Sequence, residues 1–250
     1  MQHIRLIFLW RIIKMNKCIF AFYFKVKESL SYAYRKFRSP FIISHYLSHN
    51  KTLKLHLGSG DTQLEGWLCT DLVPCRRSTA YLNAAKPFPF KDDTFDFVYS
   101  EHMIEHLTQQ QGLDMLKECH RVLKPGGHIR IATPDMDVIL KLYTDRANDY
   151  GKDYIKWSMD RFAPAERNLF GYDPMIVLNY FNHKWGHQFL YNYDYLTKAM
   201  EFAGFSHVSL KQMHQSDIPD LNNIENHHNA GSSDPMITFE SLIVEAVKNK

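Results

Sequence analysis

Cysteine is scarce in this sequence of 250 residues, and the cysteines that are present are not arranged in pairs. Cys18, Cys69, Cys75 and Cys119 form no CxxC motif and no dense cluster. This usage argues against a structural zinc site and against a disulfide framework, and it is typical of a reducing compartment. We therefore expect a cytoplasmic protein.

Long apolar runs are also lacking near the amino terminus. The longest uninterrupted run there, from Cys18 to Phe24, covers seven residues. A membrane-spanning helix needs about 20 largely apolar residues, so this segment is not a convincing transmembrane helix. Lysine and arginine interrupt the apolar region and no small-residue cleavage site follows, which argues against a secretory signal.

Acidic side chains are nearly missing from the first part of the chain. Residues 1–54 contain eleven lysines and arginines and only one acidic residue, Glu28, whereas the remaining residues contain nineteen basic and twenty-six acidic side chains. The two parts carry net charges of +10 and −7, which add to the overall +3. A basic arm on an acidic body indicates that the arm has its own partner, and it makes a nucleic-acid substrate for the body unlikely.

The arm, which we assign to residues 1–50, mixes bulky apolar side chains with basic ones. One hypothesis is a basic amphipathic helix over residues 1–38 that lies on an anionic membrane surface, giving the protein a peripheral location at the inner face of the membrane. A helix that packs on the domain and exposes its basic face is weighed equally. A third alternative is that Met15 is the true start of the protein.

After Asn50 the pattern changes to short apolar strands that alternate with turns and helices. Strands are predicted at residues 53–57, 67–72, 95–99 and 128–132, and a helix follows Thr108 as its N-cap. Such alternation predicts an α/β fold with a doubly wound, mainly parallel sheet over residues 51–250. Two final strands, at 208–212 and 242–247, complete the predicted sheet.

Residues 136–195 contain no strand of comparable quality and are rich in aromatic side chains. We interpret this segment as a helical insertion that covers the carboxyl edge of the sheet. A helix over residues 195–203 is expected to follow it and to end at Gly204.

Unusual residues follow the first two predicted strands. Gly58, Ser59 and Gly60 come directly after the first strand, and Asp71 ends the second. Glycine lets the backbone approach a ligand closely, and a carboxylate can accept hydrogen bonds from two ribose hydroxyls. Because ligands of open α/β sheets bind beyond the carboxyl ends of the strands, these residues predict a nucleoside-type pocket. Only ten residues separate Gly60 from Asp71, too few for a crossover helix, so a loop must take its place.

The motifs of this region resemble those of one enzyme family. HLGSG, the strand ending at Asp71, PFPFKDDTFDFVYSEHMIEHL and RVLKPGGHIRIATPD occur in the order found in class I S-adenosylmethionine-dependent methyltransferases, over roughly residues 53–135. The chain looks most like the small type 11 bacterial proteins associated with envelope and polysaccharide biosynthesis. The resemblance implies a Rossmann-like fold, S-adenosyl-L-methionine as the cofactor, and a saccharide or lipid-linked glycan as the acceptor.

Carried over residue by residue, the resemblance also implies the cofactor contacts. Gly58, Ser59 and Gly60 would line the methionine and ribose part, and Asp71 would bind the ribose. Asn83 stands where relatives usually have an aspartate that contacts adenine. Ser100 and Glu101 would face the methionine end. The third glycine of the fuller family pattern is absent from GSGD.

Methyl transfer to a hydroxyl needs alignment of the acceptor and profits from a general base. The candidate catalytic residues are His102 and Asp135, which follow sheet strands, and the pair His183 and His187 in NHKWGHQFLY. The aromatic neighbours of that pair suit sugar stacking and a packed cap equally well. His106 is expected to be a buried, hydrogen-bonded residue of a helix.

His102-Met103-Ile104-Glu105-His106 also matches H-x-x-E-H, the inverted zinc-protease motif. That motif needs both histidines on one helical face and a further carboxylate ligand. Here it directly follows a strand inside the methyltransferase block, so we favour the start of a helix and predict no metal.

Two other functions remain open. An NAD-type oxidoreductase is disfavoured because the glycine loop is incomplete and Asp71 lies short of the usual offset of about 20 residues. A non-catalytic module that keeps the fold and docks at the membrane surface is the second.

Overall fold

A computed structural model describes residues 32–145, 148–226 and 235–249. The strands are β1 (Lys54–Leu57), β2 (Leu68–Asp71), β3 (Ala80–Tyr81), β4 (Phe95–Glu101), β5 (Leu123–Pro134), β6 (Phe205–Lys211) and β7 (Ser241–Lys248). The helices are α1 (residues 32–49), α2 (Gln109–Val122), α3 (Met136–Thr144), α4 (Asp149–Phe162), α5 (Pro164–Phe170), α6 (Pro174–His183), α7 (Tyr193–Phe202) and α8 (Pro235–Glu240). Two short 3-10 helices cover Ile104–His106 and Pro219–Leu221.

All seven strands form one sheet in the order β3-β2-β1-β4-β5-β7-β6. Strands β1 to β5 pair in parallel, and β7 pairs antiparallel with both β5 and β6. The prediction of a doubly wound, mainly parallel sheet is confirmed. The strand order reverses between β1 and β4, and the crevice at the carboxyl ends of these two strands is where such sheets bind ligands.

Helix α2 shows how local sequence fixes this architecture. Thr108 caps it as predicted: its hydroxyl accepts from the Gln111 N–H, and the Gln111 side chain accepts from the Thr108 N–H, a reciprocal capping box. The helix buries Met115, Leu116 and Cys119 against the sheet. It ends at Val122, and β5 begins at the next residue, so Pro125-Gly126-Gly127 lies within the strand and not in a separate turn.

The first crossover has no helix, as the short spacing predicts, and α1 covers the neighbouring sheet surface. Ile42, Ile43 and Leu47 of α1 pack against the main hydrophobic core. The Tyr46 hydroxyl donates to the carbonyl oxygens of Lys54 and Gly66, at 3.0 and 2.9 Å, which fixes α1 to the start of β1. The carboxyl-terminal part of the predicted arm is therefore a packed helix. The membrane hypothesis for the arm falls mostly on residues 1–31, which lie outside the described residues.

Helices α3 to α6 occupy the range predicted as a helical insertion. They pack with one another and with α8 around a hydrophobic cluster of their own, which includes Ile139, Tyr154, Met159, Val177 and Phe181. We call this group of helices the cap. Its division from the rest of the chain as a separate insertion stays a prediction.

The remaining face of the central strands is covered by irregular chain. Leu221 and Ile224, from the segment 212–226, pack against Trp67, Cys69 and Tyr99 of the sheet. None of the helices in the three described ranges combines the length and the apolar character that crossing a bilayer requires.

Candidate cofactor and acceptor site

The tips of β1 and β2 are joined by a hydrogen bond. The Gly60 N–H donates to Asp71 Oδ2 at 2.9 Å, and the Val73 N–H donates to Asp71 Oδ1 at 2.7 Å. A carboxylate offers about four acceptor positions, so two amide donors leave capacity for two ribose hydroxyls. The strand tips that the sequence predicts to form one pocket therefore lie side by side.

The two glycines of the loop serve different physical needs. Both have positive φ, 66° at Gly58 and 56° at Gly60. A Cβ at Gly60 would meet nothing within 4 Å, whereas a Cβ at Gly58 would lie 2.2 Å from Cγ of Met103. Gly60 thus borders open space, and the side chain that closely approaches Gly58 is Met103. A ligand at Gly58 would have to contact Met103 or turn it aside.

Two buried hydroxyl groups in the crevice make no hydrogen bond. Ser59 and Ser100 are buried, and among the described residues the Oγ atom of neither has a partner. Ser100 pairs in register with Leu57, two residues before Ser59, and the Ser59 N–H donates to Thr70 of β2, so both serines lie near the carboxyl ends of the central strands. A buried hydroxyl without a partner costs about 1–3 kcal/mol, which a polar ligand would recover. The residues present therefore fit S-adenosylmethionine.

Two other residues that the resemblance places against the cofactor, Glu101 and Asn83, already form hydrogen bonds within the protein. Glu101 accepts the Asn226 N–H on both carboxylate oxygens, at 3.0 and 3.1 Å, and burial raises the pKa of Glu101. Asn83 Oδ1 accepts the Ala85 N–H at 2.9 Å and so forms a turn of its own loop. Asn83 lines a separate cavity of about 1000 Å³ between α1 and residues 81–89. Contact of Glu101 or Asn83 with the cofactor stays a prediction.

A cavity of about 220 Å³ lies beneath the cap, next to the end of β4. Its walls combine aromatic side chains with buried acids and histidines: His102, Glu105, His106, Pro134, Tyr154, Phe162, Phe181, Trp185, His187, Ile237 and Glu240. We call this space the cap cavity. It contains two of the predicted catalytic residues, His102 and His187.

His102 has an unusual backbone conformation, and acidic side chains surround its ring. Its φ is 44°, a left-handed value that is uncommon outside glycine, and its side chain is 6% exposed. Nδ1 of His102 lies 3.3 Å from Glu105 Oε1, and Nε2 lies 3.4 Å from Ser241 Oγ. Burial lowers the pKa of His102, but the carboxylates of Glu105, Glu240 and Glu101 outweigh it, so that the pKa is raised.

His187 enters the cap cavity from the chain that follows α6. Its Nδ1 lies 2.7 Å from the Phe181 carbonyl oxygen, and its ring meets the His106 ring edge-on, with centroids 5.0 Å apart. Burial lowers the pKa of His187. His106 is only partly buried and lies in a 3-10 turn, so its predicted place in a buried helix is corrected.

The remaining two catalytic candidates lie elsewhere. His183 is exposed in the last turn of α6 and does not line the cap cavity. Asp135 is the N-cap of α3, where its Oδ1 accepts the Asp137 N–H at 2.9 Å, and burial raises its pKa. Helix capping accounts for an aspartate at this position without any catalytic role. The predicted roles of His183 and Asp135 therefore lack a supporting contact.

The segment that matches H-x-x-E-H does not place its histidines on one face of an α-helix. Only Ile104–His106 is helical, as a single 3-10 turn, and His102 lies before it. Residues that sequence reasoning did not select also line the cap cavity: Glu105, Tyr154, Trp185 and Glu240. Tyr154 donates to Glu240 across 86 positions of sequence, a pairing for which no local signal exists.

The mainly parallel sheet, with the tips of β1 and β2 joined at the crevice, is the Rossmann-like arrangement that the sequence predicts. Residues 71–131, from the end of β2 into β5, match a family model described as a methyltransferase domain. The match covers 61 of the 250 residues, and it supports the predicted class and its cofactor for that part of the chain. A comparison with curated proteins found no match.

Solved structures of methyltransferases are similar to this chain at low sequence identity. One from Archaeoglobus fulgidus, described as SAM dependent, is 14% identical with a TM-score of 0.45, covering 90% of this chain and 99% of its own. A putative methyltransferase of Haloferax volcanii, in complex with the Trm112 activator, is 16% identical with a TM-score of 0.43, covering 86% and 92%. A possible histamine N-methyltransferase of Thermotoga maritima is 14% identical with a TM-score of 0.42, covering 90% and 96%. These likenesses are too weak to indicate an acceptor or a partner.

Proposed function

We propose that this protein transfers a methyl group from S-adenosylmethionine to a hydroxyl of a saccharide or lipid-linked glycan. The single observation that carries the cofactor part is the pair of buried, unpartnered hydroxyls, Ser59 and Ser100, beside the joined tips at Gly60 and Asp71. When bound, S-adenosylmethionine supplies an activated methyl group on its sulfonium. The chain then has only to hold both reactants in line and to accept one proton.

The cap cavity is the proposed acceptor site. It lies next to the carboxyl end of β4, where the methionine end of the cofactor is expected. Its volume of about 220 Å³ is below the usual range of about 300–1,000 Å³ for small-molecule pockets, so it suits one ring or the end of a longer acceptor. Trp185, which packs edge-on against Phe181 and Phe162, offers an aromatic surface to a sugar.

In this proposal the acceptor hydroxyl gives its proton to an imidazole of the cap cavity, His102 or His187. S-Adenosylmethionine held at the strand tips of Gly60 and Asp71 would supply the methyl group to the acceptor oxygen, with S-adenosylhomocysteine as the other product. The role of the chain is to orient the hydroxyl and to remove its proton.

The test is methylation of glycans from a strain that lacks this protein. The purified full chain, S-adenosylmethionine and a lipid-linked glycan extract of that strain are incubated together and analysed by mass spectrometry. The proposal expects one glycan species to gain the mass of one CH2 group, and the Asp71→Ala variant to be inactive. If no glycan gains this mass but another fraction of the extract is methylated, the glycan acceptor is rejected. Methyl transfer as the activity would then still stand.

A location at the inner face of the cytoplasmic membrane is part of the same proposal. Tyr34, Phe37 and Phe41 of α1 are 60%, 70% and 66% exposed, and Arg35 and Lys36 stand between them. Exposed aromatic and basic side chains on one helix are the composition that binds anionic lipid surfaces. Salt-sensitive co-sedimentation of the full chain with anionic liposomes is expected, and its absence would remove the membrane as a partner.

A further inference from the structure

Two histidines and one glutamate in the cap cavity have their ligand atoms close together. One carboxylate oxygen of Glu105 and one ring nitrogen each of His106 and His187 all lie within 4.8 Å of one another. The sequence motif draws attention to His102 and His106, but the third member of this cluster, His187, is 81 residues beyond His106. We call Glu105, His106 and His187 the three-ligand cluster.

The backbone holds the cluster together. The N–H groups of Gln188 and Phe189 both donate to the Glu105 carbonyl oxygen, at 2.8 and 3.2 Å. The side-chain amide of Gln188 donates to the His106 carbonyl oxygen at 2.7 Å. The residues after His187 are therefore tied to the turn that carries the other two members, and the three side chains meet without any movement of the chain.

Hydrogen bonds orient two of the three side chains, His187 and Glu105, as they orient ligands in metal sites. His187 Nδ1 lies at hydrogen-bond distance from the Phe181 carbonyl oxygen, which can only accept, so Nδ1 carries the proton and the lone pair is on Nε2. Glu105 Oε2 accepts the Thr133 hydroxyl at 3.0 Å. Glu105 Oε1 is buried and makes no hydrogen bond of normal geometry to the described residues; the nearby His102 Nδ1 is 3.3 Å away. One carboxylate oxygen is thus oriented and the other is available.

The charge around the cavity favours a cation. The carboxylates of Glu101, Glu105 and Glu240 are all nearly buried in this region, and no lysine or arginine is among the residues that line the cap cavity. The basic group beside Glu105 is the His102 ring, whose Nδ1 lies 3.3 Å from Glu105 Oε1 and which is charged only when protonated. Burying several carboxylates close together is costly, and a divalent cation bound at Glu105 would add positive charge to this region.

We propose that Glu105, His106 and His187 bind a divalent transition metal, of which zinc is the first candidate. Two imidazoles and one carboxylate are the ligand set of catalytic zinc sites, which keep a further position open. Magnesium and calcium prefer oxygen ligands, so two imidazoles disfavour them. The prediction of no metal, made from the sequence motif alone, took no account of His187.

A cation held by these residues would lie at the proposed acceptor site, because His106 and His187 both line the cap cavity. A cation there would bind the acceptor oxygen and ease the loss of its proton. His187 then acts as a ligand, which leaves His102 as the proton acceptor. This role rests on the proposed function, whereas the binding of the cation does not.

The test measures zinc bound to the full chain after removal of metals with a chelator. Equilibrium dialysis and elemental analysis are expected to give about one zinc per chain, with much weaker binding of magnesium. Glu105→Gln and His187→Gln, which preserve side-chain size and polarity, are expected to weaken zinc binding at least about tenfold. His207→Asn is the matched control, since His207 is exposed on β6 with a φ of 52° that asparagine tolerates, and it should bind zinc like the wild type.

Wild-type zinc affinity in both cluster variants, or no stoichiometric zinc at all, would overturn the proposal. Cobalt added to the metal-free wild type gives a second readout that needs no variant. An intense visible absorption, typical of four or five ligands and abolished by zinc, is expected, and only the weak absorption of a six-coordinate ion would also overturn it. Titration of the same samples with S-adenosylhomocysteine separates this result from the proposed function, because zinc binding without cofactor binding would reject that function alone.

Discussion

Asp71 is the side chain on which recognition of the ribose depends. Its two carboxylate oxygens already accept the N–H groups of Gly60 and Val73, which fixes their direction. We predict that Asp71→Ala weakens the binding of S-adenosylhomocysteine at least about tenfold, or about 1.4 kcal/mol, measured by calorimetry. Asp114→Asn, an exchange at an exposed position of α2, is the control. Equal affinity in Asp71→Ala and the control would show that the ribose lies elsewhere.

Gly58 and Gly60 form a matched pair for testing the glycine loop that follows β1. Alanine at either position has to adopt a left-handed backbone conformation, which lowers the free energy of unfolding by about 1–2 kcal/mol. Only at Gly58 does the new methyl group also collide with Met103. We predict from urea unfolding that Gly58→Ala is clearly less stable than Gly60→Ala.

Ligand binding should separate the same two variants. Gly60→Ala is expected to keep most of its stability and to lose cofactor affinity, because its methyl group projects into the space assigned to the ligand. Equal loss of stability at both glycines, or unchanged affinity in Gly60→Ala, would contradict this account of the loop.

His56 is a buried histidine of β1 that the chemistry does not use. Burial lowers its pKa to about 3, while the ordinary value is about 6.5. Between pH 6.5 and 3 the imidazole is therefore protonated in the unfolded chain and neutral in the folded chain. The free energy of unfolding falls as the pH falls from about 6.5 toward 3. We predict that His56→Leu removes up to about 1.4 kcal/mol per pH unit of this dependence, measured by urea unfolding across that range. Parallel pH profiles of the two proteins would be the contrary result.

At the scale of elements, the segment 212–226 is joined to the sheet by one buried arginine. Arg130, on β5, forms ion pairs with Glu225 and Glu245, both at 2.5 Å, and its guanidinium also donates to carbonyl oxygens of Gln212 and Gln215. The segment covers Tyr99 and Trp67, where an α/β sheet usually carries helices. The arginine thus links a long irregular segment to the central strands.

Loss of Arg130 leaves two buried carboxylates without their counter-charge. We predict that Arg130→Met lowers the free energy of unfolding by about 3–5 kcal/mol, measured by urea denaturation. Lys54→Met, which removes a half-exposed pair with Asp220, is expected to cost at most about 1 kcal/mol and serves as the control. Similar small losses in both variants would mean that the segment is not held by this network.

Elements with a strong local signal could be predicted from the sequence, and those defined by distant contacts could not. Strands β1, β4 and β5 and helix α2 have clear periodicity and turn residues, and the structure has them near the predicted positions. Strand β3 has only two residues, too few for a pattern. The approach of His187 to Glu105 depends on hydrogen bonds between residues more than eighty positions apart. The local sequence around Glu105 therefore could not predict that His187 completes the three-ligand cluster.

For the whole molecule, the proposed activity requires that the tips of β1, β2 and β4 together bind one sulfonium-bearing nucleoside. Titration of the wild-type chain of 250 residues with S-adenosylhomocysteine, followed by calorimetry, measures this directly. We predict one site with a dissociation constant of micromolar order, which corresponds to a binding free energy of about −8 kcal/mol. Titration with NADH should give no heat of binding. Absence of binding by S-adenosylhomocysteine, or tighter binding of NADH, would contradict it.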